Sequence, residues 1–173
     1  REAARLFRTM DSYEISRVEV AAVGRAVTGA TRRGSPPGRI YAHNKTGHGS
    51  HLVSAQLALH TDQPMGQSYG VGLHDSLGFY LLEHIEPTDS AAMALYNFRH
   101  VVARPDSAFA REQSELGRAP ILRRGQLALY ALPGDHGYFQ TADLDLTLVG
   151  APRQVRPAAL IWARSDWPAA GQY

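Results

Sequence analysis

The stretch Thr88-Asp89-Ser90-Ala91-Ala92-Met93-Ala94-Leu95-Tyr96-Asn97-Phe98, continuing to Pro105, is the one on which the reading of the fold turns. Thr88, Asp89 and Ser90 carry side-chain oxygens that accept from the orphan N–H groups at a helix start. Most residues from Ala91 to Phe98 lose little freedom in a helix, and Pro105 cannot continue one. A helix over Ala91 to Phe98, stopped by Pro105, is therefore predicted. Upstream, Leu77 to Ile85 is a short apolar segment ended by Pro87, and Thr61 to Ser76 is polar and glycine-rich. Leu52 to Leu59 fits a helix through Leu52, Ala55 and Leu59, and equally a strand through Val53, Ala55, Leu57 and Leu59. Arg39 to His43 is strand-like and stops at the turn Asn44 to Gly49. Thr28 to Gly38, with Gly-Ser-Pro-Pro-Gly at its end, is predicted as a loop. From Ser12, apolar residues at Ile15, Val18, Ala22 and Val23 approach helical spacing, and Ala4 to Phe7 precedes them as a short strand.

Downstream the pattern changes. Gln126 to Leu132, Tyr138 to Val149 and Val155 to Ala163 are predicted strands, the first two joined by the turn Pro133-Gly134-Asp135-His136-Gly137. Asp143-Leu144-Asp145-Leu146-Thr147-Leu148 alternates strictly, which puts the three leucines on one buried face. The expected class is α+β, with N-terminal helices and a C-terminal antiparallel β-meander. Residues 1–173 form one expected domain, because a chain of this length buries about 70% of its unfolded surface, enough for one core.

Composition excludes several functions. With 18 basic against 16 acidic residues the chain has a formal charge of +2, and its basic bunches are the dipeptides Arg32-Arg33 and Arg123-Arg124, so no nucleic-acid partner is implied. No apolar run approaches the roughly 18 residues of a membrane span. The absence of cysteine removes thiol nucleophiles, disulfides and cysteine-ligated metals. His43, His48, His51 and His60 invite a metal reading, but His48 and His51 have no carboxylate beside them and no His-Glu-x-x-His motif occurs, so no metal is expected. Gly-x-Ser-x-Gly and Walker motifs are absent, and Gly70-Val71-Gly72 alone is no dinucleotide fingerprint. The start at Arg1, without a signal-peptide pattern, suggests a chain whose original N-terminus was cut or processed away.

Two stretches carry a family resemblance. Leu6-Phe7-Arg8-Thr9, followed by Asp11-Ser12 and Ile15, resembles the segment around the essential arginine of the HopF (AvrPphF) family of bacterial type III effectors, which are similar to mono-ADP-ribosyltransferases. Arg39-Ile40-Tyr41-Ala42-His43, then Thr46-Gly47, resembles that family's strand with an arginine and a small-residue–histidine pair, followed by Thr-Gly. The resemblance implies an ADP-ribosyltransferase-like fold, NAD as substrate, a host protein as partner and secretion into a host cell. It makes Arg8 the arginine that grips NAD, and Tyr41, His43 and Thr46 walls of the nicotinamide pocket, with a hydroxyl residue holding the strand geometry. An arginine suits the first role because its planar fork grips a phosphate or carboxylate at two points.

The family pattern also places an aspartate after the pair resembling Tyr130-Ala131, where this chain has Leu132. A carboxylate is needed because cleavage of the nicotinamide–ribose bond passes through an oxocarbenium-like ribose that a fixed negative charge stabilises. Asp135 is the nearest, and Asp143 with Asp145 form a further acidic pair that polar alternation on a half-exposed strand also produces. The pair Tyr69 and Tyr80 resembles the nicotinamide clamp of diphtheria-toxin-like enzymes, but a chain with 8 tyrosines produces that spacing by chance, and core packing is the reading adopted. The alternative to an enzyme is a degenerate pseudoenzyme that works by binding a host protein. The sequence leaves the oligomeric state open.

Overall fold

A computed structural model describes residues 17–34, 37–46, 51–66, 84–133, 150–163 and 165. In chain order they form α1 (Arg17–Arg32), β1 (Arg39–Tyr41), a 3₁₀ turn (Asn44–Thr46), α2 (His51–Ala58) and α3 (Ser90–Leu95). Then follow β2 (Phe98–Ala103), α4 (Ala108–Glu115), β3 (Leu122–Arg124), β4 (Leu127–Ala131) and α5 (Pro152–Ala163). The strands make one mixed sheet in the order β1-β2-β4-β3, with β1 parallel to β2 and the other pairs antiparallel. The class is α+β.

Both faces of the sheet are covered. On one face Val20, Val23 and Val27 of α1 and Val53 and Leu57 of α2 pack on Ile40, Val102, Leu127 and Leu129. On the other, Ala92 and Met93 of α3 and Phe109 and Ala110 of α4 pack on Tyr41, Phe98, Val101, Ala128 and Tyr130. Strict alternation along β2 would send Phe98 and Val101 to opposite faces, yet both lie on the α3/α4 side. The reason is a register shift: Arg39 stands opposite Phe98 and Ile40 opposite His100, so Arg99 is an extra residue that resets the phase, as a β-bulge does. At Gly24, α1 comes so near the end of α2 that a Cβ would stand 2.6 Å from that of His60. At Gly66, next to the bridge from Met65 to Ile40, a Cβ would overlap the Phe98 ring.

The deciding stretch divides between two elements. Of the three candidate caps, Thr88, Asp89 and Ser90, it is Asp89 that caps α3, its carboxylate accepting from the Ala92 N–H at 3.0 Å. The helix ends at Leu95, however, and Asn97, in the left-handed region at φ 53°, turns the chain into β2. Phe98 to Ala103, expected to be the end of a helix and its exit, is a strand whose six residues are all buried. Burial on both faces favours the branched and aromatic side chains of Phe98, Val101 and Val102 in extended backbone, and this outweighs helix propensity.

Four other expectations are corrected or decided. Thr28 to Arg32 is helical and not loop, because Val27 and Ala30 extend the buried stripe of Val20, Val23 and Gly24, and the loop begins after them. Val18, assigned to the apolar face, is 73% exposed. The ambiguous segment is helical over His51–Ala58, but Val53 and Leu57, one turn apart, face the core, whereas Ala55 and Leu59 of the expected helical face are exposed. Val155 to Ala163, expected as a strand, lies in α5, where Ala159 is buried and Ile161 is 73% exposed. Gln126 to Leu132 does contain β4. The middle strand of the expected meander, with Leu144, Leu146 and Leu148, lies outside the described residues. Among the described residues no helix is long and apolar enough to cross a membrane.

Candidate functional site

The resemblance points to the chain where it leaves β1, and here the structure brings Tyr41, His43 and Thr46 together. The Tyr41 and His43 rings lie 5.8 Å apart, and Tyr41 also meets Phe98 edge-on at 5.2 Å. The Tyr41 hydroxyl donates to the Ile85 carbonyl at 3.3 Å, which satisfies the polar end of an otherwise buried ring. Burial pushes the phenol pKa well above its ordinary value, and the negative charge of Glu86 adds to the rise. Tyr41 is therefore a neutral, fixed wall and not an acid or base at physiological pH.

Thr46 is fully buried. Its Oγ1 is 2.7 Å from the carbonyls of both His43 and Val102, so its single hydroxyl proton is shared between the turn and β2. Its N–H donates to His43 O at 3.0 Å, and its carbonyl accepts from the Arg104 N–H at 2.8 Å. The 3₁₀ turn is thus bonded to the C-terminal end of β2 on both sides of Thr46. Ser54 of α2 adds a bond to the Ala42 carbonyl at 2.5 Å, fixing the residue between Tyr41 and His43.

His43 is half-buried, and its Nδ1 accepts from the Lys45 N–H at 3.2 Å. In the neutral ring the proton then sits on Nε2. Beside it, Lys45 Nζ donates to Ile85 O at 3.0 Å and pairs with Glu86 at 2.6 Å. The arrangement is a rigid strand end with one accessible imidazole, backed by a tyrosine and a threonine whose polar atoms are already engaged. It can orient a planar group by ring contact.

Arg8, the expected NAD-gripping arginine, and Asp135, the expected acid, lie outside the described residues, as do Asp143, Asp145, Tyr69 and Tyr80. Leu132, where the family pattern has an aspartate, is half-buried against the α3/α4 core, and its N–H donates to Arg99 O at 2.9 Å. Among the described residues no group of three or more histidines, aspartates or glutamates is placed to hold a metal.

Sequence reasoning missed three features. Lys45 was visible inside the turn, but its partner Glu86 lies far along the chain and gives no local signal. Ser54 was hidden by the ambiguity of its segment. His100, 3% exposed on β2, has an Nδ1 without a hydrogen-bond partner among the described residues. Desolvation, with help from the Arg99 charge, lowers its pKa. No family model, curated protein or solved structure matches the chain.

Proposed function

We propose that the chain is a mono-ADP-ribosyltransferase-like domain of a secreted bacterial effector, which binds NAD and transfers its ADP-ribose to a host protein. Two sequence stretches support the reading, one around Arg8 and one over Arg39 to Thr46. The single observation that carries it furthest is the turn after β1, where a buried threonine hydroxyl fixes the strand end that presents Tyr41 and His43. That is the part the resemblance asks of a hydroxyl residue. In the proposed reaction the bond from nicotinamide to ribose C1′ breaks, nicotinamide departs, and a nucleophile of the target protein bonds to C1′ while losing its proton. Arg8 grips NAD, His43 contacts the nicotinamide end, and Tyr41 and Thr46 support the wall from within the core. Asp135 supplies the negative charge that stabilises the ribose as positive charge develops on it.

NAD titration followed by amide spectra or melting temperature tests the reading, together with transfer of labelled ADP-ribose to host-cell protein. Arg8→Ala should weaken binding and turnover, because it acts on ground and transition states alike. Asp135→Ala should lower turnover by about 10²–10³ and spare binding. An unshifted spectrum and melting temperature at millimolar NAD would sink the reading.

A specific observation favours a second one, a degenerate pseudoenzyme that binds a host protein. The position expected to carry the acid is Leu132, which serves packing. Under this reading no label is transferred by the parent chain, and Asp135→Ala changes nothing.

A further inference from the structure

A cleft among the described residues lies between α4, the loop that follows it and the β3–β4 pair. It encloses about 500 Å³ and is lined by Arg111 and Ser114 of α4, Arg118 and Pro120 of the following loop, Arg123 of β3 and Tyr130 of β4. That volume is in the range of small-molecule sites, roughly 300–1,000 Å³. Three arginines line it, and among the described residues no carboxylate does. Asp106, which also feels the Arg111 charge, is held by Arg104 through two bonds of 2.9 Å.

Each arginine retains donors for a ligand. Arg111 spends one N–H on the Asp106 carbonyl at 3.0 Å, and Arg118 spends one on Gln113 Oε1 at 3.5 Å. A guanidinium carries five N–H donors, so among the described residues most of theirs have no partner. Arg123 stands opposite Ala128 in the β3–β4 register, which puts it on the same face as Tyr130, whereas Arg124 stands opposite Leu127 and so belongs to the other face. An arginine at the C-terminal end of a helix is also favoured by the helix dipole, which accounts for Arg118. It does not account for Arg111 or Arg123. Three like charges around one concavity repel each other, and a dianion with several acceptor oxygens relieves that repulsion while matching the fork geometry. The walls supplied by Pro105, Ala110, Ala119 and Pro120 leave room for an apolar or ring portion beside the anion.

We propose that this cleft binds an organic phosphate monoester, its phosphate held by Arg111, Arg118 and Arg123 and its organic part resting over Tyr130 between the proline and alanine walls. The site uses none of Tyr41, His43 and Thr46, the described residues of the NAD reading, since none of them lines it.

Titration of the whole chain with glucose 6-phosphate and with phenyl phosphate, neither of them a fragment of NAD, followed by amide spectra, provides the test. Saturable shifts confined to residues 105–130 are expected, with inorganic phosphate competing and glucose alone without effect. R118Q combined with R123Q should weaken binding at least tenfold, whereas R124Q, on the other face, should leave it unchanged. The three arginines are exposed or lie at the cleft surface, and an unchanged far-UV spectrum of the double variant confirms its fold. Three results would overturn the proposal: no saturable binding of either ester, binding of inorganic phosphate alone, or equal weakening by R124Q and R123Q, which would mean diffuse charge and not a site. Loss of NAD binding with ester binding intact would sink the transferase reading and leave this one standing.

Discussion

Thr46 shows how one hydroxyl holds a functional strand end in place. Replacing it by valine keeps shape but leaves the His43 and Val102 carbonyls, both 2.7 Å from Oγ1, without that donor in a buried place. The expected cost is about 1–3 kcal/mol, read as a lower urea midpoint at unchanged slope, with Thr46→Ser retaining most of the stability. His100 has the opposite character, because its buried Nδ1 has no partner to lose among the described residues. Its pKa in the folded chain lies below the value near 6.5 it has when unfolded, so the unfolded state takes up the proton first as pH falls. The contribution of His100 is fully present above the unfolded pKa and is lost as pH falls towards the folded one. His100→Leu should therefore keep or raise stability at pH 7.5 and reduce the loss between pH 7.5 and 5. Urea melts of both proteins at the two pH values check this, and parallel curves would contradict it.

The strands are short and the sheet depends on its two inner ones. β4 lies between β2 and β3, and its Leu127 and Leu129 are fully buried against α1 while Ala128 and Tyr130 face α4. Leu129→Ala should cost about 2–5 kcal/mol, the range for a large core side chain whose cavity does not collapse, measured by chemical denaturation. β2 carries the bulge at Arg99, and that one extra residue lets Phe98 and Val101 share a face. The bulge also explains why no period-2 signal marks this strand. Its inward residues do not alternate, and the run from Phe98 to Ala103 is buried throughout.

At the scale of the molecule, two clusters of apolar residues share one set of strands. Val101 belongs to the α3/α4 cluster and its neighbour Val102 to the α1/α2 cluster, so neither layer can be removed without exposing the other through the same backbone. Thermal unfolding should therefore be a single transition, with aromatic near-UV and backbone far-UV signals coinciding. Two resolved transitions would show that the layers are independent. α4 neighbours the 3₁₀ turn after β1 and also lines the proposed phosphate cleft through Ala110, Arg111 and Ser114.

The sequence by itself determined the local features: the Asp89 cap, the extended Arg39 to Tyr41 segment, the strand within Gln126 to Leu132 and a mixed α+β composition. These are legible because caps, turns and short apolar runs act through neighbours in the chain. Only the tertiary structure decided that Phe98 to Ala103 is an inner strand, that Thr28 to Arg32 continues α1 and that Val155 to Ala163 is helical. In each case the burial available at that place in the layers outweighs a local preference of a few tenths of a kcal/mol per residue. The candidate site divides the same way. Tyr41, His43 and Thr46 were named from a resemblance carried by one short stretch of chain, whereas Ile85, Val102 and Ser54, which bond to Tyr41, Thr46 and Ala42 of that stretch, and the arginines gathered from α4, its loop and β3, come together only when distant segments pack.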